Sequence, residues 1–129
     1  MSNADRRTTD FDRWLAEEFA RSGEFAMLAV LVEIGETKVT PVRSIFLNVI
    51  GDEISWSELT ALFARAGASW DGASFFPLLD AGGPIDNASA RLRLRELEAR
   101  LADDRLVLNE GHFFDKWGRR LKIEEVAVQ

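Results

Sequence analysis

The run from Glu24 to Ile34, apolar at every position from Phe25 to Val32, must be buried on all sides whichever element it forms. Its Ala, Met and Leu residues suit a helix, whereas Val30, Val32 and Ile34 alternate like a strand, and both readings stay open. A strand would gain from Gly35-Glu36, a two-residue turn that would set Glu33 opposite Lys38. The run is far too short to cross a bilayer, and the N-terminus offers no hydrophobic signal region. With 47% hydrophobic residues, four Trp and nine Phe in 129 residues, the chain has material for one core. A single globular domain over residues 10–129 is expected. Ser2-Asn3-Ala4 resemble the remnant of a cleaved tag, so residues 1–9 are expected to be such a remnant or a disordered N-terminus.

Several elements carry start and stop signals. Asp10 can cap a helix over Phe11 to Arg21, with Phe11, Trp14, Leu15 and Phe19 at helical spacing before Ser22-Gly23. Thr40 followed by Pro41, then Val42, Ile45, Phe46 and Val49 up to Gly51, predicts a helix over 41–50. Asp52-Glu53-Ile54 leaves room for a very short strand. Ser55 and Glu58 have capping-box spacing ahead of a helix from Trp56 to Ala66. Residues 68–86, rich in Gly and Pro, read as a long loop with room for a helical turn around Phe75 to Leu79. Asp86 or Asn87 then caps a helix to about Asp103, with Ala90, Leu94, Leu97 and Leu101 as its inward stripe. Arg105 to Leu108 and His112 to Phe114 read as strands. Asp115-Lys116-Trp117-Gly118 forms the turn into a return strand from Arg119 to about Val126. The expected fold is therefore α+β and helix-rich, a single domain with a small, mainly C-terminal antiparallel sheet or hairpin.

The chemical inventory narrows function mainly by exclusion. There is no Cys or Tyr and only one His, which removes thiolate catalysis, disulfides and multi-His metal sites. The lack of Cys fits a cytoplasmic location. No phosphate-binding glycine motif occurs, so no nucleotide cofactor is implied, and neither a metal site nor a catalytic set is assigned. Glu110 and His112 would share one face of a regular strand, the minimum geometry for a proton-sharing pair. The paired acids Asp52-Glu53, Asp103-Asp104 and Glu124-Glu125 read more simply as solvated ends of elements.

Charge is unevenly spread. The net charge is -6, yet residues 87–122 hold nine Lys/Arg against six Asp/Glu, while residues 1–86 hold seven against fourteen. Within the basic part, Arg91 and Arg95 lie one helical turn apart. Lys116, Arg119, Arg120 and Lys122 surround Trp117 on the hairpin, a pattern suited to a phosphate backbone because cations neutralise it while a ring stacks. Glu96 with Arg100, Arg100 with Asp104, and Arg93 with Glu96 are spaced for pairing within the helix.

In element order, helix 41–50, a strand near Ile54, helices 56–66 and 88–103 and a basic hairpin, the chain resembles a winged-helix domain. That resemblance implies a last helix in a major groove and a hairpin wing on the backbone. The stretch 67–86 departs from it, exceeding the short turn between the two helices of a helix-turn-helix. By elimination the expected function is a noncatalytic protein-interaction or regulatory domain, able to bind a protein partner or itself. The alternatives are a winged-helix-like DNA-binding regulator and a small enzyme using His112 and Glu110; no membrane association is expected.

Overall fold

The computed structural model describes residues 8–51, 54–65, 67 and 69–123. Within them the apolar run is a strand, β1 (Phe25–Ile34). It is flanked by β2 (Val39–Val49) and β3 (Gly72–Pro77), and β3 pairs in turn with β4 (His112–Asp115). The order is β2-β1-β3-β4 and every pairing is antiparallel. Alternate side chains of a strand point to opposite faces. Phe25, Met27, Ala29 and Leu31 therefore enter one apolar cluster, and Ala26, Leu28, Val30 and Val32 enter another. A strand covered on both faces needs apolar residues at every position, which is why this run shows no alternation of polar with apolar residues.

Each face has its own cover. On the first lie α1 (Asp10–Ser22) and α2 (Trp56–Arg65), which contribute Phe11, Trp14 and Leu15, and Trp56, Leu59 and Phe63. On the second lie α3 (Asn87–Asp103) and a 3-10 segment, Arg105–Glu110, which contribute Leu97 and Leu101, and Val107 and Leu108. The cap of α1 is Thr9 rather than Asp10. Its hydroxyl accepts from the Asp12 amide at 3.0 Å, and the Asp12 carboxylate accepts from the Thr9 amide at 3.2 Å. Asp10 instead accepts the Arg120 amide at 2.9 Å. Ser55 caps α2, accepting the Glu58 amide at 3.2 Å, and Asp86 caps α3, accepting the Ser89 amide at 2.7 Å.

The sheet runs through the middle of the chain, which corrects the expectation of a helix-rich fold with a small C-terminal sheet. Residues 41–49 of the expected helix 41–50 lie in strand β2, and Ile50 follows its end. The loop expected at 68–86 contains β3, with a 3-10 turn at Leu79–Ala81 after it. Arg105 to Leu108 is 3-10 helix rather than strand. Of the expected return strand, only Arg120 bridges, to Phe114, and residues 124–126 lie outside the described residues, as do Asp52-Glu53 and residues 1–7. The β1–β2 connection spans 35–38, with the Gly35 amide bonded to the Lys38 carbonyl at 2.8 Å, so Glu33 faces Thr40 and not Lys38. The winged-helix resemblance fails because α2 and α3 pack on opposite faces of the sheet and cannot cross as a helix-turn-helix pair. No helix among the described residues is long and apolar enough to cross a membrane.

Candidate functional site

The turn that carries the basic hairpin is built on one carboxylate. Asp115, 8% exposed, accepts the amides of Trp117 and Arg119 at 2.9 and 3.0 Å and the Arg119 Nε–H at 2.8 Å. The Gly118 amide closes the turn on the Asp115 carbonyl at 3.0 Å, and Gly118 takes the left-handed φ of 77° that a glycine adopts without strain. Trp117 is left 66% exposed at the tip, with the Arg119 guanidinium 5.0 Å from its ring centre. Arg120 lies over Phe114, and Lys116 and Lys122 are exposed. The turn is pinned to the first face, because the Trp56 indole donates to the Lys116 carbonyl at 2.9 Å and the Phe11 amide to the Gly118 carbonyl at 3.0 Å.

Arg91 and Arg95 are exposed on α3, against the second face, so the helix and hairpin cations are not gathered on one side of the sheet. Charge on α3 is satisfied both within the helix, where Arg93 pairs with Glu96 at 3.9 Å as its spacing predicts, and by partners distant in sequence. Arg93 pairs with Asp80 at 3.1 Å, and Arg100 takes Glu110 at 2.6 Å rather than Glu96 or Asp104.

That last pair also separates Glu110 from His112. Glu110 is drawn to α3, whereas His112 stacks on Trp14 of α1 with ring centroids 4.4 Å apart and planes inclined by 26°. The two side chains lie on opposite faces and do not converge. The Arg120 Nη1–H donates to His112 Nδ1 at 3.3 Å, which assigns Nδ1 as acceptor of a neutral ring. Burial pushes the imidazole below its ordinary range, and Arg120 adds to this while Glu18 opposes it. Glu18 is itself buried and held by Arg21 and Ser22, each at 2.5 Å. Trp14 Nε1 is the one buried side-chain polar atom without a partner among the described residues. Among them no cluster of metal-ligating side chains occurs.

The two edges of the sheet differ. Beyond β4 the chain folds back: the Asp115 amide bonds to the Arg119 carbonyl and the Leu121 amide to the Phe113 carbonyl, both at 2.8 Å. Beyond β2 no described segment pairs. The backbone directions follow from the ladder. Leu78 donates to Ala26 at 2.8 Å and Asp71 to Val32 at 2.7 Å, so the even residues of β1 turn toward β3 and the odd ones toward β2. Their β2 partners Arg43, Ile45, Leu47 and Val49 face inward, which leaves Ser44, Phe46 and Asn48 with amides and carbonyls aimed at the open edge.

The first part of that edge is blunted. Pro41 lacks an amide, the register slips at Val42, and Arg105 Nε–H takes the Val39 carbonyl at 2.8 Å. From Ser44 onward nothing similar intervenes. Asn48 is fixed from behind, its side chain exchanging two hydrogen bonds with the Ile85 backbone at 3.1 and 3.2 Å. A groove borders the strand on each face. One of about 450 Å³ is lined by Val42, Ser44, Glu98, Leu101 and Arg105. The other, of about 420 Å³, is lined by Arg43, Ile45, Leu47, Leu62, Phe63 and Arg65. Sequence reasoning missed this edge because it assigned 41–50 to a helix. The available signal was the density of β-branched residues: Val39, Thr40, Val42, Ile45, Val49 and Ile50.

No protein-family model matches the chain, and neither a curated protein nor a solved structure matches it. What the fold and the site define is an antiparallel sheet between two helical layers, closed at one edge and open at the other.

Proposed function

We propose that this chain is a noncatalytic protein-interaction domain that receives an extended segment along the Ser44–Asn48 edge of β2. The observation that carries this reading is the contrast between the two edges. One is covered by the chain's own return, while the other leaves outward backbone groups between two grooves. An added strand would gain main-chain hydrogen bonds at Ser44, Phe46 and Asn48, and its alternate side chains would enter the grooves above and below. The divergence of His112 and Glu110 weakens the catalytic alternative.

Selection of short random peptides against the folded protein, with binding mapped by amide exchange, tests the reading. Peptides that slow exchange at Ser44 and Phe46 are the expected result. Selected peptides that protect only Lys116 to Lys122 would move the interaction to the hairpin, where exposed Trp117 and Arg119 favour an anionic ligand.

A further inference from the structure

The open edge is self-complementary, and we infer that its occupant is a second copy of this chain, paired β2 to β2 about a two-fold axis through Phe46. This rests on the interaction reading above and names its partner.

The register follows from the backbone. Outward-facing residues must pair with outward-facing residues, so an axis through any residue from Ser44 to Asn48 is compatible with the ladder, but one at Leu47 or Asn48 sets Ser44 beyond the end of the second copy's β2. An axis at Ser44 or Ile45 drives Phe46 or Asn48 against the irregular Val42 of the second copy. The axis at Phe46 avoids it. It pairs Phe46 with Phe46 and Ser44 with Asn48 twice, so all three outward residues of each copy find a partner in regular strand. On the α2 face it sets Ile45 opposite Leu47 of the second copy, beside Leu62, which is 37% exposed. Val42 and Ile50, exposed by 38% and 58%, come next along the same pairing, on opposite copies.

Charge permits this pairing. Ser44 to Gly51 is uncharged, and Arg43 falls opposite Val49 of the second copy. The two Arg43 residues are then six positions apart along the ladder, roughly 20 Å at strand rise, beyond the ~8 Å screening length of physiological salt. Area permits it as well. A contact about 24 Å long, with helical layers about 10 Å above and below the sheet, covers on the order of 500 Å² per copy. That total of about 1,000 Å² meets the lower bound of a specific interface, and a dimer that dissociates on dilution follows. Assembly stops at two, because the chain's own return covers the edge beyond β4.

The absence of cysteine makes the test direct. Sedimentation equilibrium on the whole chain should show monomer and dimer exchanging with concentration and nothing larger. Added salt should tighten the dimer, because it screens repulsion between two copies of charge -6. Under mild oxidation Phe46→Cys should cross-link to itself, since a hydrogen-bonded pair on the axis has a Cα separation of about 5.5 Å, within disulfide range. Val42→Cys should not. Phe46→Lys should abolish the dimer by placing two cations face to face. As Phe46 is half-buried, the unmodified chain gives a second readout: the Phe46 amide should exchange more slowly as concentration rises.

A monomer at every concentration overturns the self-pairing, and a dimer in which Phe46→Cys fails to cross-link overturns the register. A monomer whose edge still binds selected peptides removes only the second copy. A monomer that binds none there removes the interaction reading too.

Discussion

The amide of Leu121 donates to the carbonyl of Phe113 at 2.8 Å, and with the Asp115–Arg119 bond this closes one edge of the sheet. The segment that does so is held by the turn at Asp115, whose buried carboxylate gathers three donors. Replacing Asp115 with Ala would strand two amides at the turn. We expect Asp115→Ala to cost about 1–3 kcal/mol in urea unfolding, with faster exchange at the Leu121 amide. A stability change within error would show that the carboxylate is not what holds the edge shut.

Gly111 is a glycine for reasons of space. A Cβ there would meet the Phe75 carbonyl oxygen and the Ser74 hydroxyl at 2.7 Å, and that hydroxyl already donates to the Leu108 carbonyl at 2.6 Å. Gly111→Ala is expected to destabilise the fold by about 1–3 kcal/mol through overpacking where the 3-10 segment enters β4. Thermal unfolding of the variant measures it.

Trp117 and Trp56 sit near each other in the same corner with opposite roles. Trp117 is 66% exposed, whereas Trp56 is 5% exposed, donates to the Lys116 carbonyl and packs on Phe11 with centroids 5.0 Å apart. Trp117→Ala should change stability by no more than about 0.5 kcal/mol, and Trp56→Ala should cost about 3–5 kcal/mol. Denaturant midpoints of the two variants make the comparison.

His112 gives the fold a pH dependence of definite sign. Burial, with Arg120 beside it, lowers its folded pKa below the unfolded value of 6.5, so the unfolded chain binds the proton more readily. The stability from neutral His112 is present in full above 6.5 and is lost as pH falls through the lowered folded value. Titration of the imidazole by NMR should place its midpoint below 6.5, and His112→Gln should flatten this limb of the stability profile. A midpoint at or above 6.5 would contradict the stacked, neutral ring.

Much of this architecture was legible where a stripe or a cap spoke for one element alone. Trp14 and Leu15, the Ser55–Glu58 spacing and the Leu97–Leu101 stripe each marked a helix, because each helix buries a single face. β4 was read as a strand at His112 to Phe114, but the other three hid for the opposite reason. β1 and β3 are covered on both faces, and in β2 Ile45, Leu47 and Val49 go to one cluster while Phe46 goes to the other, so no period of two survives. Thr40-Pro41 then imitated a helix start, although Pro41 is tolerated there because its nitrogen looks outward from an edge. The turn at Asp115 was legible from its chemistry, whereas the exposure of Trp117 at its tip was not. The open edge was not, since an edge is defined only by which strands fail to gain a neighbour.

Residue-resolved amide exchange along β2, followed through a dilution series, tests the open edge most directly. In the most dilute sample Ser44 and Phe46 should exchange fast while Ile45 and Leu47, turned toward β1, stay slow. Ser44 and Phe46 exchanging as slowly as Ile45 and Leu47 at every dilution would contradict the account, because the edge would then be covered within a single chain.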